Sequence, residues 1–129
     1  MVSADEVSGI VIGAAMKVHS TLGPGLSESA YELCLVHELI KLGQRVQRQL
    51  SLPIHYDGVQ LDCGYRIDVL VSDLVVVELK TVEALTNLHK AQILTYLKLS
   101  GKELGLLINF NTVHLRDGIK RVLNGQNWK

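Results

Sequence analysis

Asp68, Glu78 and Lys80 are the residues whose types and spacing could do chemistry in this chain. Ile67, Val69 and Val71 alternate with Arg66, Asp68 and Leu70, and Val75, Val77 and Leu79 alternate with Val76, Glu78 and Lys80. Period-2 alternation on β-branched residues predicts two strands, with Ser72 and Asp73 suited to the turn between them. Glu78 and Lys80 then point to one face of the second strand, and Asp68 meets them if its pleat phase matches. Two carboxylates and an ammonium at the end of an apolar hairpin are costly unless they pair or hold a metal. Carboxylate oxygens suit Mg2+ or Mn2+, and such an ion polarises a phosphodiester and lowers the pKa of a bound water. Residue types alone leave two readings open, a salt-bridged strand end and a metal site.

The elements that must position these groups follow from the patterning. Ser3 and Glu6 form a capping box, and Val7, Ile10, Val11, Ala14 and Val18 recur at helical spacing to an end near His19. Gly9 and Gly13 weaken that helix, but their spacing permits close approach of another element. Gly23, Pro24 and Gly25 break the chain. A second helix begins near Ser27 and ends at Gly43, with Glu28 in its first turn, where a carboxylate suits the helix dipole. Gln44–Tyr56 reads as a strand, with Arg48 at the margin of its apolar face and Pro53 marking an edge or irregularity. Asp57 and Gly58 make a hairpin turn into a strand over Val59–Val71, interrupted at Gly64. After Lys80, Thr86 caps a third helix ending at Ser100 and Gly101. Its apolar residues, including Leu88, Leu94, Thr95 and Leu97, crowd it so that burial on more than one side is expected. Leu104–Asn109 is an apolar strand, Val113–Leu115 a short strand and Ile119–Leu123 a short helix, with a frayed tail beyond Asn124. The helix between Lys80 and Leu104 allows a crossover to a parallel strand. The fold class is α/β, one domain over residues 1–129, with a mixed β-sheet flanked by helices.

The totals bound the function. The chain has 129 residues, of which 47% are apolar and 20% charged, enough for one domain with a substantial core. The 13 basic and 13 acidic residues balance to zero net charge, so a broadly cationic nucleic-acid binder is not indicated. Nucleic-acid contact must come from a local patch or a metal, and weak repulsion between copies makes a homodimer plausible. Cys34 and Cys63 match no zinc or redox spacing and read as two buried thiols. The start of the chain lacks an apolar signal core and no run reaches membrane-spanning length, which predicts a cytoplasmic protein with no membrane contact.

On the third helix His89, Gln92 and Tyr96 are spaced by three and four residues and share a face, a short connection from Lys80. They can orient a phosphate or nucleotide near the carboxylates, or form ordinary polar packing. Tyr31 can position Glu28 or pack its helix on the sheet. His19 can approach the mouth of the site or end the first helix, while His37, His55 and His114 have no ligand spacing.

These residues carry a resemblance. The sequence resembles the PD-(D/E)XK nuclease superfamily, and specifically its small GxxExxY proteins. The naming motif stands as Gly25, Glu28 and Tyr31, the metal-site pattern as Asp68 followed by Glu78, Leu79 and Lys80, and Gln92 and Tyr96 match the QxxxY element of RecB-like nucleases. The superfamily's proline is absent, since Arg66 and Ile67 precede Asp68. The resemblance covers Val11 through Val122 and implies a restriction-endonuclease-like core with an additional N-terminal helix. It further implies Asp68, Glu78 and the Leu79 carbonyl as ligands to Mg2+ or Mn2+, with Glu28 supporting the metal, often through water. Lys80 becomes the catalytic lysine, and Gln92 and Tyr96 orienting residues. The activity implied is metal-dependent phosphodiester hydrolysis, with DNA the favoured substrate. The superfamily also holds domains that bind nucleic acid or a protein partner without cutting, and a groove completed by a partner subunit is a third reading.

Overall fold

The computed structural model describes residues 2–127. Helix α1 spans Ala4–Leu22 and α2 spans Glu28–Lys41. Strands β1 (Val46–Ser51), β2 (Ile54–Tyr56), β3 (Val59–Leu61), β4 (Arg66–Val71) and β5 (Val75–Lys80) follow. Then come α3 (Asn87–Ser100), β6 (Leu104–Asn109), a 3-10 turn at Leu115–Gly118, and β7 (Ile119–Leu123). A five-stranded mixed sheet runs in the order β1-β4-β5-β6-β7, and β2 and β3 form a separate ribbon. β5 and β6 are parallel, as the α3 crossover requires, and the other pairs are antiparallel. This is the expected α/β architecture, a mixed sheet flanked by helices.

Alternation along the strands divides the core. Val69, Val71, Val75, Val77, Leu106 and Ile108 pack with Val7, Val11, Leu35 and Leu39 of α1 and α2. Leu70, Val76, Leu107 and Val122 pack with Ile93, Leu94 and Leu97 of α3. Gly105 lets α3 come down on β6, because a Cβ there would stand 2.8 Å from the Ile93 Cδ1. Among the described residues no helix is long and apolar enough to cross a membrane.

Several local expectations change. Ser3 caps α1 as predicted, accepting the Glu6 N–H at 3.1 Å, but the helix runs on to Leu22, where Gly23 takes φ 69°. Among the described residues, nothing beyond the helix's own backbone lies within 4 Å of a Cβ built at Gly9 or Gly13, so no other described element makes close approach there. The strand expected over 44–56 breaks at buried Leu52, whose N–H goes to Tyr65 O across the neck of the β2–β3 ribbon. Pro53 has no N–H with which to continue a ladder. Leu88 is 77% exposed and Thr95 is exposed, so α3 buries one face only. Residues 113–115 form no strand. Ile119–Leu123 is a strand rather than a helix: β6 offers it a full antiparallel ladder, and Arg121 reaches Ser8 and Asp5 on α1. Five residues make little more than one helical turn, which nucleates poorly. Cys34 is half-buried and Cys63 exposed, in the bend between β3 and β4, so the pair is not two buried thiols.

Candidate active site

The ladder between β4 and β5 stops at Val69–Val77. One residue further, side chains replace backbone partners. The Asp68 N–H donates to Glu78 Oε1 at 3.1 Å, and the Leu79 N–H donates to Asp68 Oδ2 at 2.9 Å. The strands part there, and both carboxylates occupy the opening. Glu78 is buried. Burial, then the neighbouring Asp68 carboxylate, push its carboxyl up to about 9, against the smaller opposing pull of the Asp68 N–H. Asp68 is half-buried and lines a cleft of about 390 Å3 with Glu28, Glu32, Arg48, Gln49 and Leu79.

Lys80 leaves β5 toward α3. Its Nζ donates to Gln92 Oε1 at 2.9 Å, and Gln92 Nε2 donates to Tyr96 Oη at 3.1 Å. Tyr96 is buried, which raises its phenol pKa. Tyr65, just before β4, meets the Tyr96 ring edge-on with centroids 6.2 Å apart. His89 does not join this line: its Nδ1 accepts the Thr86 N–H at 2.9 Å and completes the capping box of α3. The Lys80–α3 connection is held by Asn109 at the end of β6. The Asn109 amide bonds both the N–H and the carbonyl of Val82, at 3.1 and 2.9 Å.

Helix α2 supplies the opposite wall. Ser27 caps it by accepting the Ala30 N–H, and Glu28 is exposed in the first turn. The Tyr31 hydroxyl donates to Gly23 O and accepts the Leu26 N–H, while its ring stacks on Phe110 at 4.5 Å. Tyr31 thus pins the loop that launches α2 and packs the helix on the sheet, rather than bonding Glu28. Gly25 at φ 107° gives that loop a conformation other residues rarely take. His19 is buried, with Nε2 2.8 Å from Thr112 O. That contact accounts for it as a brace between α1 and the chain after β6.

Glu32, Arg48 and Gln49 were not assigned to the site by sequence reasoning, which placed Arg48 only at the margin of a strand face. Glu32 is buried one helical turn beyond Glu28, and Arg48 Nε and Nη2 donate to its Oε2 at 2.9 and 2.7 Å. Gln49 Nε2 donates to Glu32 Oε1 at 2.7 Å and reaches Asp68 Oδ1 at 3.4 Å. Gln49 holds φ 48° to do so, an uncommon conformation for this residue type. The signal available was the i, i+4 spacing of Glu28 and Glu32.

Among the described residues no three carboxylate, imidazole or thiol side chains converge to hold an ion. The donor set on offer is the two carboxylates of Asp68 and Glu78, both hard oxygen. That set fits Mg2+ or Mn2+, since Mg2+ is commonly held by one or two carboxylates and keeps several waters.

A sequence model of the PD-(D/E)XK nuclease superfamily matches residues 5–122. No curated protein and no solved structure matches the chain.

Proposed function

The chain belongs to the PD-(D/E)XK nuclease superfamily, and from that premise we propose that it is a metal-dependent nuclease hydrolysing phosphodiester bonds, with DNA the favoured substrate. The observation that carries the reading is the parted strand end, where Asp68 and Glu78 share one opening and Lys80 stands on the next residue but one. In this reading Asp68, Glu78 and the Leu79 carbonyl hold Mg2+ or Mn2+, with Glu28 across the cleft as a support through water. The bound ion supplies Lewis-acid polarisation of the phosphoryl group and neutralises charge that develops on it. Lys80 is fixed by Gln92 through one of its three N–H donors. The remaining donors are free to orient the attacking water or stabilise the phosphoryl oxygens. The water gives a proton to solvent as its oxygen bonds phosphorus, the P–O3′ bond breaks, and the 3′ oxygen leaves and takes a proton from solvent. A 5′-phosphate and a 3′-hydroxyl result.

Gly25, Glu28 and Tyr31 support the finer placement among GxxExxY proteins. Their roles in this chain are a left-handed loop residue, a carboxylate at the cleft and the pin that sets both. The zero net charge of a chain of this size favours a second reading, a domain that binds nucleic acid or a protein partner without cutting. Single- and double-stranded DNA and RNA incubated with Mn2+ or Mg2+ distinguish the two. The nuclease reading expects cleavage by the wild type that Asp68→Asn abolishes. Cleavage unchanged in Asp68→Asn overturns the site. No cleavage by wild type that binds both metal and nucleic acid favours the second reading.

A further inference from the structure

The β2–β3 ribbon is not absorbed by the core. Its register pairs Ile54 with Leu61, His55 with Gln60 and Tyr56 with Val59. Cross-strand partners share a face, so Ile54, Tyr56, Val59 and Leu61 line one side and His55 and Gln60 the other. The apolar side is mostly open: Tyr56 is 71% exposed, Val59 52% and Leu61 43%. The ribbon thus gathers its apolar residues on one side and leaves that side in water.

Position says which partner. The ribbon rises between β1 and β4, from the end of β4 that carries Asp68. Its neck is closed by Leu52 N–H to Tyr65 O at 3.0 Å. Tyr65 then touches Tyr96, giving an unbroken line from Lys80 through Gln92 and Tyr96 to the ribbon. Size argues against a second copy of this chain. Two strands of three residues present a face of about 100 Å2, against roughly 800 Å2 per partner in a stable protein interface. A nucleobase needs no more than this. Charge argues against a duplex: the chain is neutral, and Arg48, which lines the cleft beside Asp68, is committed to Glu32. A duplex is held largely by many phosphate contacts, whereas a single strand adds base–aromatic stacking to whatever phosphate contacts it makes.

We propose that the β2–β3 ribbon is a stacking arm for unpaired bases, with Tyr56 its principal platform, and that the substrate is single-stranded nucleic acid or a single-stranded flank. This rests on the nuclease reading for the site the strand enters, but the arm is testable by binding alone. Fluorescence anisotropy with labelled oligothymidylate, oligouridylate and a DNA duplex, in Ca2+, reads affinity without turnover. The wild type is expected to bind single strands more tightly than duplex. Tyr56→Ala is expected to weaken single-strand binding about tenfold, from the worth of one base–aromatic stack. Tyr56→Phe keeps it, and circular dichroism shows both variants folded because Tyr56 is largely exposed. The two oligonucleotides tell DNA from RNA, and tight binding of either supports the arm. Single-strand affinity unchanged in folded Tyr56→Ala overturns the arm, even if Asp68-dependent cleavage stands. A wild type that prefers duplex overturns it too. So does a Tyr56→Ala effect confined to sedimentation, which assigns the face to self-association. Loss of single-strand binding in Tyr56→Ala without any cleavage by the wild type keeps the arm and removes the nuclease.

Discussion

Glu78 accepts the backbone N–H of Asp68 where a neighbouring strand's carbonyl would ordinarily accept it. The carboxyl is buried beside a second carboxylate, so it keeps its proton well above the ordinary value of 4.5, to about 9. The folded chain therefore binds more protons than the unfolded chain between those values. Stability falls as pH rises wherever the folded state is the more protonated. The metal-stripped protein should be most stable on this account below pH 4.5, losing the contribution progressively up to about 9. The steepest slope one group can give is about 1.4 kcal/mol per pH unit. Denaturant melts of wild type and Glu78→Gln across that window check it, since the substitution should flatten the slope.

The same proton couples to metal. A ligating carboxylate must be deprotonated, so metal uptake displaces the proton it carries. Mn2+ binding at neutral pH should release roughly one proton, and its affinity should climb as pH rises toward 9. Calorimetry in buffers of different ionisation enthalpy measures the release directly. Binding with no buffer dependence would mean that Glu78 is not displaced of a proton by the ion.

Lys80 and its brace separate charge stabilisation from metal binding. Lys80→Met should keep most of the metal affinity while lowering any cleavage rate by roughly 10²-fold or more, the usual cost of a lost electrostatic contact in the transition state. Gln92→Leu removes the acceptor that fixes the Nζ and should lower the rate less, with the loss in kcat rather than KM. Single-turnover kinetics beside Mn2+ titration reads both quantities. Equal rates for wild type and Lys80→Met would remove the lysine from the chemistry.

How far the sequence could be read depended on the range of the contact. Asp68, Glu78 and Lys80 were legible because strand alternation is local and their cost demands an explanation. Their meeting was legible only as a condition, since parting of β4 from β5 depends on two side chains taking backbone partners. Glu32 was legible only as the i, i+4 neighbour of Glu28, and its pairing with Arg48 and Gln49 was not legible, because the helix and the strand meet across 16 and 17 residues. Ile119–Leu123 has a weak local preference that the exposed edge of β6 overrides. His89 showed correct helical spacing, but its proximity to Thr86 commits a ring nitrogen to the cap.

Tyr31 offers a test of what its hydroxyl contributes beyond its ring. Tyr31→Phe retains the stack on Phe110 but leaves Gly23 O and the Leu26 N–H without that partner. Loss of a part-buried hydrogen-bonding group costs about 1–2 kcal/mol. The midpoint of urea unfolding should fall accordingly with an unchanged m-value. Hydrogen exchange should quicken first in the loop before Ser27. Exchange that quickens evenly over the whole chain instead would mean that the hydroxyl does not act through the loop.

The Glu32–Arg48–Gln49 network should behave as one unit. Glu32 is buried and carries its charge against a guanidinium that is 41% exposed, so solvent screens part of the attraction. Arg48→Met leaves the carboxylate with Gln49 as its side-chain donor and should cost about 2 kcal/mol, below the range for a fully buried broken pair. Glu32→Gln removes the charge that Arg48 answers but keeps the volume, and should cost about 1 kcal/mol. The double variant should be less destabilised than the sum, because each single substitution already breaks the same contact. Denaturant unfolding of the four proteins gives the coupling term. The network also turns Gln49 toward Asp68, so Glu32→Gln should weaken Mn2+ binding although Glu32 is not assigned as a ligand. Additive losses of stability together with wild-type Mn2+ affinity would reduce the network to independent surface contacts and detach it from the carboxylate site.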